Sequence, residues 1–114
     1  MKYEIDYDVL RQYIWRFVAS NGRILANGES HPYKANAVHA INLVKGTTSL
    51  SQYRLYQDSQ THWRWRLVAT NGENIAHSSE SYWNEADAKS AANIVMSSNA
   101  LTPVYDLTLQ PVSR

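Results

Sequence analysis

The chain has 114 residues, with 11 Lys+Arg against 10 Asp+Glu and a formal net charge of +1, which is not the basic balance of a bulk nucleic-acid or membrane-surface binder. Hydrophobic residues make up 44% and charged residues 18%, an ordinary globular composition that argues against disorder. Cysteine is absent, which excludes a disulfide scaffold, cysteine zinc ligation and thiol catalysis.

The opening MKYEIDYDVL carries acids where a secretory signal would be basic and then apolar, and no run approaches the roughly 18 apolar residues of a membrane span, so a soluble cytoplasmic protein is expected. Within it, Tyr3-Glu4-Ile5-Asp6-Tyr7 alternates apolar and polar residues, the pattern of a half-buried strand. Tyr13–Ala19, rich in aromatic and β-branched residues, predicts a second strand. Asn21-Gly22 follows and predicts a type I′ hairpin turn, because both central residues of that turn need positive φ. Ile24–Ala26 returns as a third strand. Ala37, Ala40, Ile41 and Val44 then fall at helical spacing, with Gly46 as the stop. The start of this helix is left open, because Pro32 and Tyr33 stand where a Ser or Asn cap is expected.

The same plan recurs in the second half. Tyr53–Gln57, Trp63–Ala69, the turn Asn71-Gly72 and Asn74–Ala76 come in the same order. A second helix is marked by Ala88, Ala91, Ala92 and Val95, capped by Asn84, with Glu85 and Asp87 in the first turn suiting the helix dipole. Past Ser97-Ser98-Asn99, Tyr105, Leu107 and Leu109 alternate with Asp106 and Thr108. This predicts an extra strand between Pro103 and Pro111, at a sheet edge where proline is tolerated, with a mobile or partner-binding tail as the alternative.

The recurrence is literal. Trp15-Arg16-Phe17-Val18-Ala19-Ser20-Asn21-Gly22 lies over Trp65-Arg66-Leu67-Val68-Ala69-Thr70-Asn71-Gly72, and Tyr3/Tyr53, Asp8/Asp58 and Ala26/Ala76 hold the same offset of 50. One inserted residue then shifts the offset to 51, matching Glu29-Ser30 to Glu80-Ser81 and Ala37, Ala40 and Val44 to Ala88, Ala91 and Val95. The chain therefore reads as a tandem duplication: a βββα repeat at 1–48, another at 51–99 and a C-terminal extension at 100–114, all in one compact domain. One such unit lies near the lower size limit for independent folding, and two joined through their sheets bury far more. The fold class is α+β: one antiparallel sheet with two helices packed on one face.

The run Trp-Arg-Phe-Val-Ala-Ser-Asn-Gly-Arg-Ile-Leu-Ala, then Glu-Ser, then a Lys-Ala-x-Ala helix with Ile and Val, resembles the YegP-like family of small uncharacterised proteins. Residues 13–45 match its repeat almost without a break. Residues 63–96 match with one insertion and with Glu85 in place of the usual Lys beside Ala86. The resemblance implies two βββα units, tandem or dimeric, forming a single antiparallel sheet with exchanged C-terminal helices. It supplies no activity, cofactor or substrate, so no catalytic residue is carried over. The extension past Asn99 departs from the repeat.

Strand alternation sorts the faces. Tyr13, Trp15, Phe17 and Ala19, with Trp63, Trp65, Leu67 and Ala69, are expected toward the helices, where burial of aromatic area dominates. The opposite face carries Ile14, Arg16 and Val18 from one repeat and His62, Arg64, Arg66 and Val68 from the other. Glu4, Asp6, Arg54, Tyr56 and Asp58 are expected on it too. The plainest account of that face is cross-strand charge pairing, at roughly 0.2–1 kcal/mol per pair. The functional account is a binding face of Arg16, Arg54, Tyr56, His62, Arg64 and Arg66, on which the symmetry-related Arg16 and Arg66 contact phosphate or an acidic partner. His31, His39, His62 and His77 show no metal-ligand spacing, and no P-loop, nucleophile elbow or Gly-rich dinucleotide turn is present.

No enzyme activity, metal or cofactor is expected. The expected function is a small binding module that contacts a protein partner through the open sheet face or an edge strand, as a monomer or homodimer. The alternative is nucleic-acid binding through the arginine face, including inhibition of a nucleic-acid-targeting defence system. A small hydrolase or transferase ranks third.

Overall fold

The computed structural model describes residues 1–109. Seven strands, β1 (Lys2–Tyr7), β2 (Tyr13–Val18), β3 (Ile24–Asn27), β4 (Tyr53–Gln57), β5 (Trp63–Val68), β6 (Asn74–Ser78) and β7 (Val104–Asp106), form one sheet in the order β4-β5-β6-β3-β2-β1-β7. Helices α1 (Lys34–Lys45) and α2 (Glu85–Met96) complete an α+β fold of two βββα units. The units meet at β3 and β6, which pair antiparallel through Ala26↔Ser78 and Asn27↔His77.

The core lies between the sheet and the helices. Trp15 and Trp65 are both 0% exposed, and Tyr3, Ile5, Phe17, Tyr53 and Leu67 are buried around them. The helices present alanine to this layer, Ala37 and Ala40 from α1 and Ala88, Ala91 and Ala92 from α2, so their backbones approach the indoles closely. Each helix straddles the seam: α1 contacts β2 and β6, and α2 contacts β5 and β3. Two buried hydrogen bonds also cross between the units. Tyr3 of the first unit meets Ser98, just past α2, at 2.7 Å between hydroxyls. Tyr53 of the second unit meets Thr47, just past α1, at 3.2 Å.

Two details depart from the sequence reading. First, the Asn-Gly turns are not type I′. Gly22 and Gly72 have φ of +85° and +88°, while Asn21 and Asn71 do not adopt positive φ. Instead Gly22 N–H donates to Ala19 O at 2.9 Å and Ala19 N–H to Arg23 O at 2.8 Å, a type I turn closed by a left-handed glycine. The Asn21 side chain accepts from Arg23 N–H at 3.0 Å, so it organises the turn without entering the left-handed region itself. Second, the sheet is mixed: β7 runs parallel to β1, with Tyr3 opposite Val104. It is also shorter than the predicted strand, giving way to a single 3-10 turn at Leu107–Leu109, and Gln110 and Pro111 lie outside the described residues. The helix starts agree with the sequence reading: Tyr33 occupies the N-cap of α1 without a side-chain cap, and Asn84 caps α2 by accepting from Asp87 N–H at 2.8 Å.

The β1–β2 and β4–β5 connections share a geometry the sequence does not advertise. Asp8 Oδ1 accepts from the N–H groups of Leu10 and Gln12, and Asp58 Oδ1 from those of Gln60 and His62. The left-handed positions there are filled by Arg11 at φ 62° and Thr61 at φ 64°. A β-branched residue is strained in that region, so Thr61→Asn is expected to raise the unfolding free energy by about 1 kcal/mol in urea titration. In the opposite direction, a Cβ on Gly28 would lie 1.9 Å from Trp15 Nε1. Gly28→Ala must therefore displace a fully buried indole, and a loss of about 1–3 kcal/mol is expected in the same titration.

Candidate functional site

Cross-strand register places a single row of side chains across all seven strands on the face away from the helices. In order it runs Arg54, Arg66, His77, Asn27, Arg16, Glu4 and Tyr105, each directly opposite the next. Adjacent strands lie about 4.8 Å apart, so every neighbour in the row is within side-chain reach.

The two ends of the row differ. In the first unit Arg16 Nε donates to Glu4 Oε1 at 2.7 Å and Arg16 NH2 to Asp6 Oδ2 at 3.2 Å. Lys2 adds a third contact to Glu4 at 3.1 Å. Those bonds hold the Glu4 carboxyl below its ordinary pKa, the Arg16 hydrogen bond foremost. In the second unit Arg54 stands opposite Arg66, and neither has an acid within 4.0 Å among the described residues. The Arg66 guanidinium lies over the Tyr56 ring, 5.3 Å from its centre. A shallow depression of about 310 Å³ opens here, lined by Arg54, Arg66, Val68, Gly72 and Asn74.

The other sequence candidates fall elsewhere. Arg64 sits opposite Tyr56 but its Nε donates to Asp58 Oδ2 at 3.0 Å. Arg16 is three positions from Arg66 along the row and charge-paired, so it does not act with Arg66 as one site. His62 is drawn to the turn end of β5, where its ring packs edge-on to Trp83 with centroids 4.6 Å apart. Arg54, Arg66 and Tyr56 are therefore the candidates that come together.

His77, considered in the sequence only as a metal ligand, belongs to the row. Its place opposite Arg66 depends on the register shift at Leu67/Val68, which alternation alone does not reveal. Burial first, and then the positive charge of Arg64, push its pKa down. Among the described residues no group of three His, Asp or Glu side chains is close enough to hold a metal, and no helix is long and apolar enough to cross a membrane.

Two further clefts are related by the duplication. One of about 430 Å³ lies between α1 and the β5–β6 hairpin, and one of about 560 Å³ between α2 and the β2–β3 hairpin. The first holds Glu73 where the second holds Arg23, and Trp83, 84% exposed, stands beside the second.

The family model described as a domain of unknown function, DUF1508, matches the chain twice, over residues 8–51 and 58–106. The UPF0339 protein YegP of Yersinia pestis is 34% identical over 108 residues, spanning 94% of this chain and 96% of that protein. A UPF0339 protein of Neisseria meningitidis serogroup B is 43% identical over 49 residues, 43% of this chain and 88% of its own length, the extent of a single repeat. The solution NMR structures of a UPF0339 protein from Shewanella oneidensis and of yegP from E. coli, a protein of unknown function, each align with a TM-score of 0.82. Their identities are 21% and 20%, with 93% of this chain covered by each and 90% and 91% of theirs.

The charges on this face link stability to pH. Glu4 is held down chiefly by Arg16, Asp8 by the Gln12 N–H and Asp58 by Arg64, so all three favour the folded state when ionised. That contribution is present above the ordinary carboxylate range and lost as pH falls through and below about 4. His77 acts at a higher pH: its neutral form is favoured in the fold, so stability also declines as pH drops below about 6.5. Urea midpoints measured from pH 8 to 3 are expected to show both declines, and His77→Gln is expected to remove only the upper one.

Proposed function

The chain belongs to the DUF1508 family, a family of unknown function, and we propose that this member is a small non-enzymatic binding module that holds a protein partner on the open sheet face at its β4–β5 end. The observation that carries the reading is the opposed, uncompensated pair Arg54 and Arg66. Like charges set opposite one another cost stability, so their juxtaposition is better explained by something that arrives than by the folded chain alone. Tyr56 beside them adds an aromatic surface of the kind enriched at protein contacts. The setting proposed is the cytoplasm, and the state a monomer, since both units share one core.

Nucleic acid suits this face less well. The row turns neutral at Asn27 and is ion-paired at Arg16 and Glu4, so it offers a short cationic end in place of a track for a repeating polyanion.

The test uses the full chain as bait beside a triple variant, Arg54→Ala, Tyr56→Ala and Arg66→Ala. These side chains are exposed, so the variant is expected to keep the wild-type melting transition and lose capture of the partner. Equal capture by the two baits, or turnover of a small molecule by the purified protein, would overturn the reading.

A further inference from the structure

Resting on that reading, we propose that Arg54 and Arg66 bind a phosphate monoester carried by the protein partner. The first unit shows what the fold puts against an arginine at this place. Glu4 and Asp6 supply carboxylate oxygens to Arg16, at 2.7 and 3.2 Å. Fifty residues on, the matching arginine is Arg66, but Arg54 stands for Glu4 and Tyr56 for Asp6. The two carboxylates that the first unit sets against its arginine are replaced by a second guanidinium and a phenol, so one guanidinium facing two acids has become two guanidinium groups facing none.

The chemistry of the missing group follows from that change. In the first unit one guanidinium, Arg16, faces two monoanionic carboxylates, Glu4 and Asp6, with Lys2 also on Glu4. Two opposed guanidinium groups suit a dianion, and a phosphate monoester carries about −1.5 to −2 charges at pH 7 with three acceptor oxygens. The planar fork of arginine matches phosphate in bidentate fashion. The depression of about 310 Å³ is a single cavity of group size, and the Asn74 side chain on its wall is a further hydrogen-bonding group. The Tyr56 ring under Arg66 holds that guanidinium by cation–π contact and limits the rotamer freedom lost on binding. A phosphodiester carries one charge and repeats along a strand, whereas this site is one isolated pair, because the neighbouring Arg64 is committed to Asp58. The class favoured is thus a phosphorylated serine, threonine or tyrosine side chain.

Titration of the full chain by NMR and calorimetry tests this with four probes: inorganic phosphate, a short phosphoserine peptide, the same peptide unphosphorylated, and a single-stranded oligonucleotide. Saturable binding of inorganic phosphate and of the phosphopeptide is expected, with the largest shifts at Arg54, Arg66 and Gly72. Arg54→Gln is expected to weaken phosphopeptide affinity by about tenfold. Arg54→Glu writes the ion pair of the first unit into the second, so it is expected to abolish binding without lowering the melting temperature. Absence of saturable phosphate binding, equal affinity for the unphosphorylated peptide, tighter binding of the oligonucleotide, or full affinity in Arg54→Glu would each overturn the proposal. Loss of partner capture by the triple alanine variant, together with failure to bind phosphate, would sink this inference alone and leave the binding module standing.

Discussion

Everything in the molecule depends on hiding two indoles in one core that both repeats build. Trp15 and Trp65 are wholly buried, yet the Nε1 of each finds no hydrogen-bond partner among the described residues. An unmet buried donor costs about 1–3 kcal/mol. Burying a tryptophan removes about 150–250 Å² of aromatic surface from water, at ~25 cal/mol/Å² roughly 4–6 kcal/mol. The area term wins, provided both faces of the ring are covered. The sheet lies on one side and an alanine-lined helix on the other, α1 over β2, which carries Trp15, and α2 over β5, which carries Trp65. Because each helix also lies over a strand of the other unit, the two indoles sit in one core that both units share.

This constraint explains which side of the sheet the two units still share. On the buried side Tyr3/Tyr53 and Trp15/Trp65 are identical, and even the hydroxyl partners Ser98 and Thr47 are equivalent. On the open side no core restricts the choice, and the units have diverged in charge while keeping Arg16 and Arg66. The first unit is internally neutralised. The second is basic at its outer end. A duplication thus separates scaffold from surface within one chain: the half that closes its own charges is the reference for the half that does not.

Much of this was legible from residue patterns, because it depends on local periodicity. The bounds of β4 fall where the alternation puts them, and both helices bury the expected alanines. The buried tryptophans follow from the same two-residue period. What was not legible depends on pairing between distant segments. Alternation assigns Arg54 and Arg66 to one face but cannot say that they stand opposite each other, nor that Arg64 is claimed by Asp58. The turn type was misread because Asn21 spends its side chain on Arg23 N–H. The parallel sense of β7 has no local signature at all. It is set by tertiary anchors, Lys34 to Asp106 at 2.7 Å and Lys45 Nζ to Thr102 O at 2.8 Å.

Those anchors also settle how the two sheet edges are managed. An uncovered edge strand presents unpaired backbone groups and invites pairing with another chain. The β1 edge is covered by β7, drawn in by Tyr3 N–H donating to Pro103 O at 2.8 Å. Among the described residues the β4 edge has no such cover, and α2 lacks the lysines that anchor β7, since Glu85 and Met96 stand where α1 has Lys34 and Lys45. Arg54 sits on that bare strand with Arg66 behind it. Bringing two such edges together would concentrate four guanidinium groups with no acid among them, a repulsion that opposes self-pairing. A charge pair that costs the isolated fold stability thus also opposes edge-to-edge pairing, and it leaves that end of the sheet free for a partner.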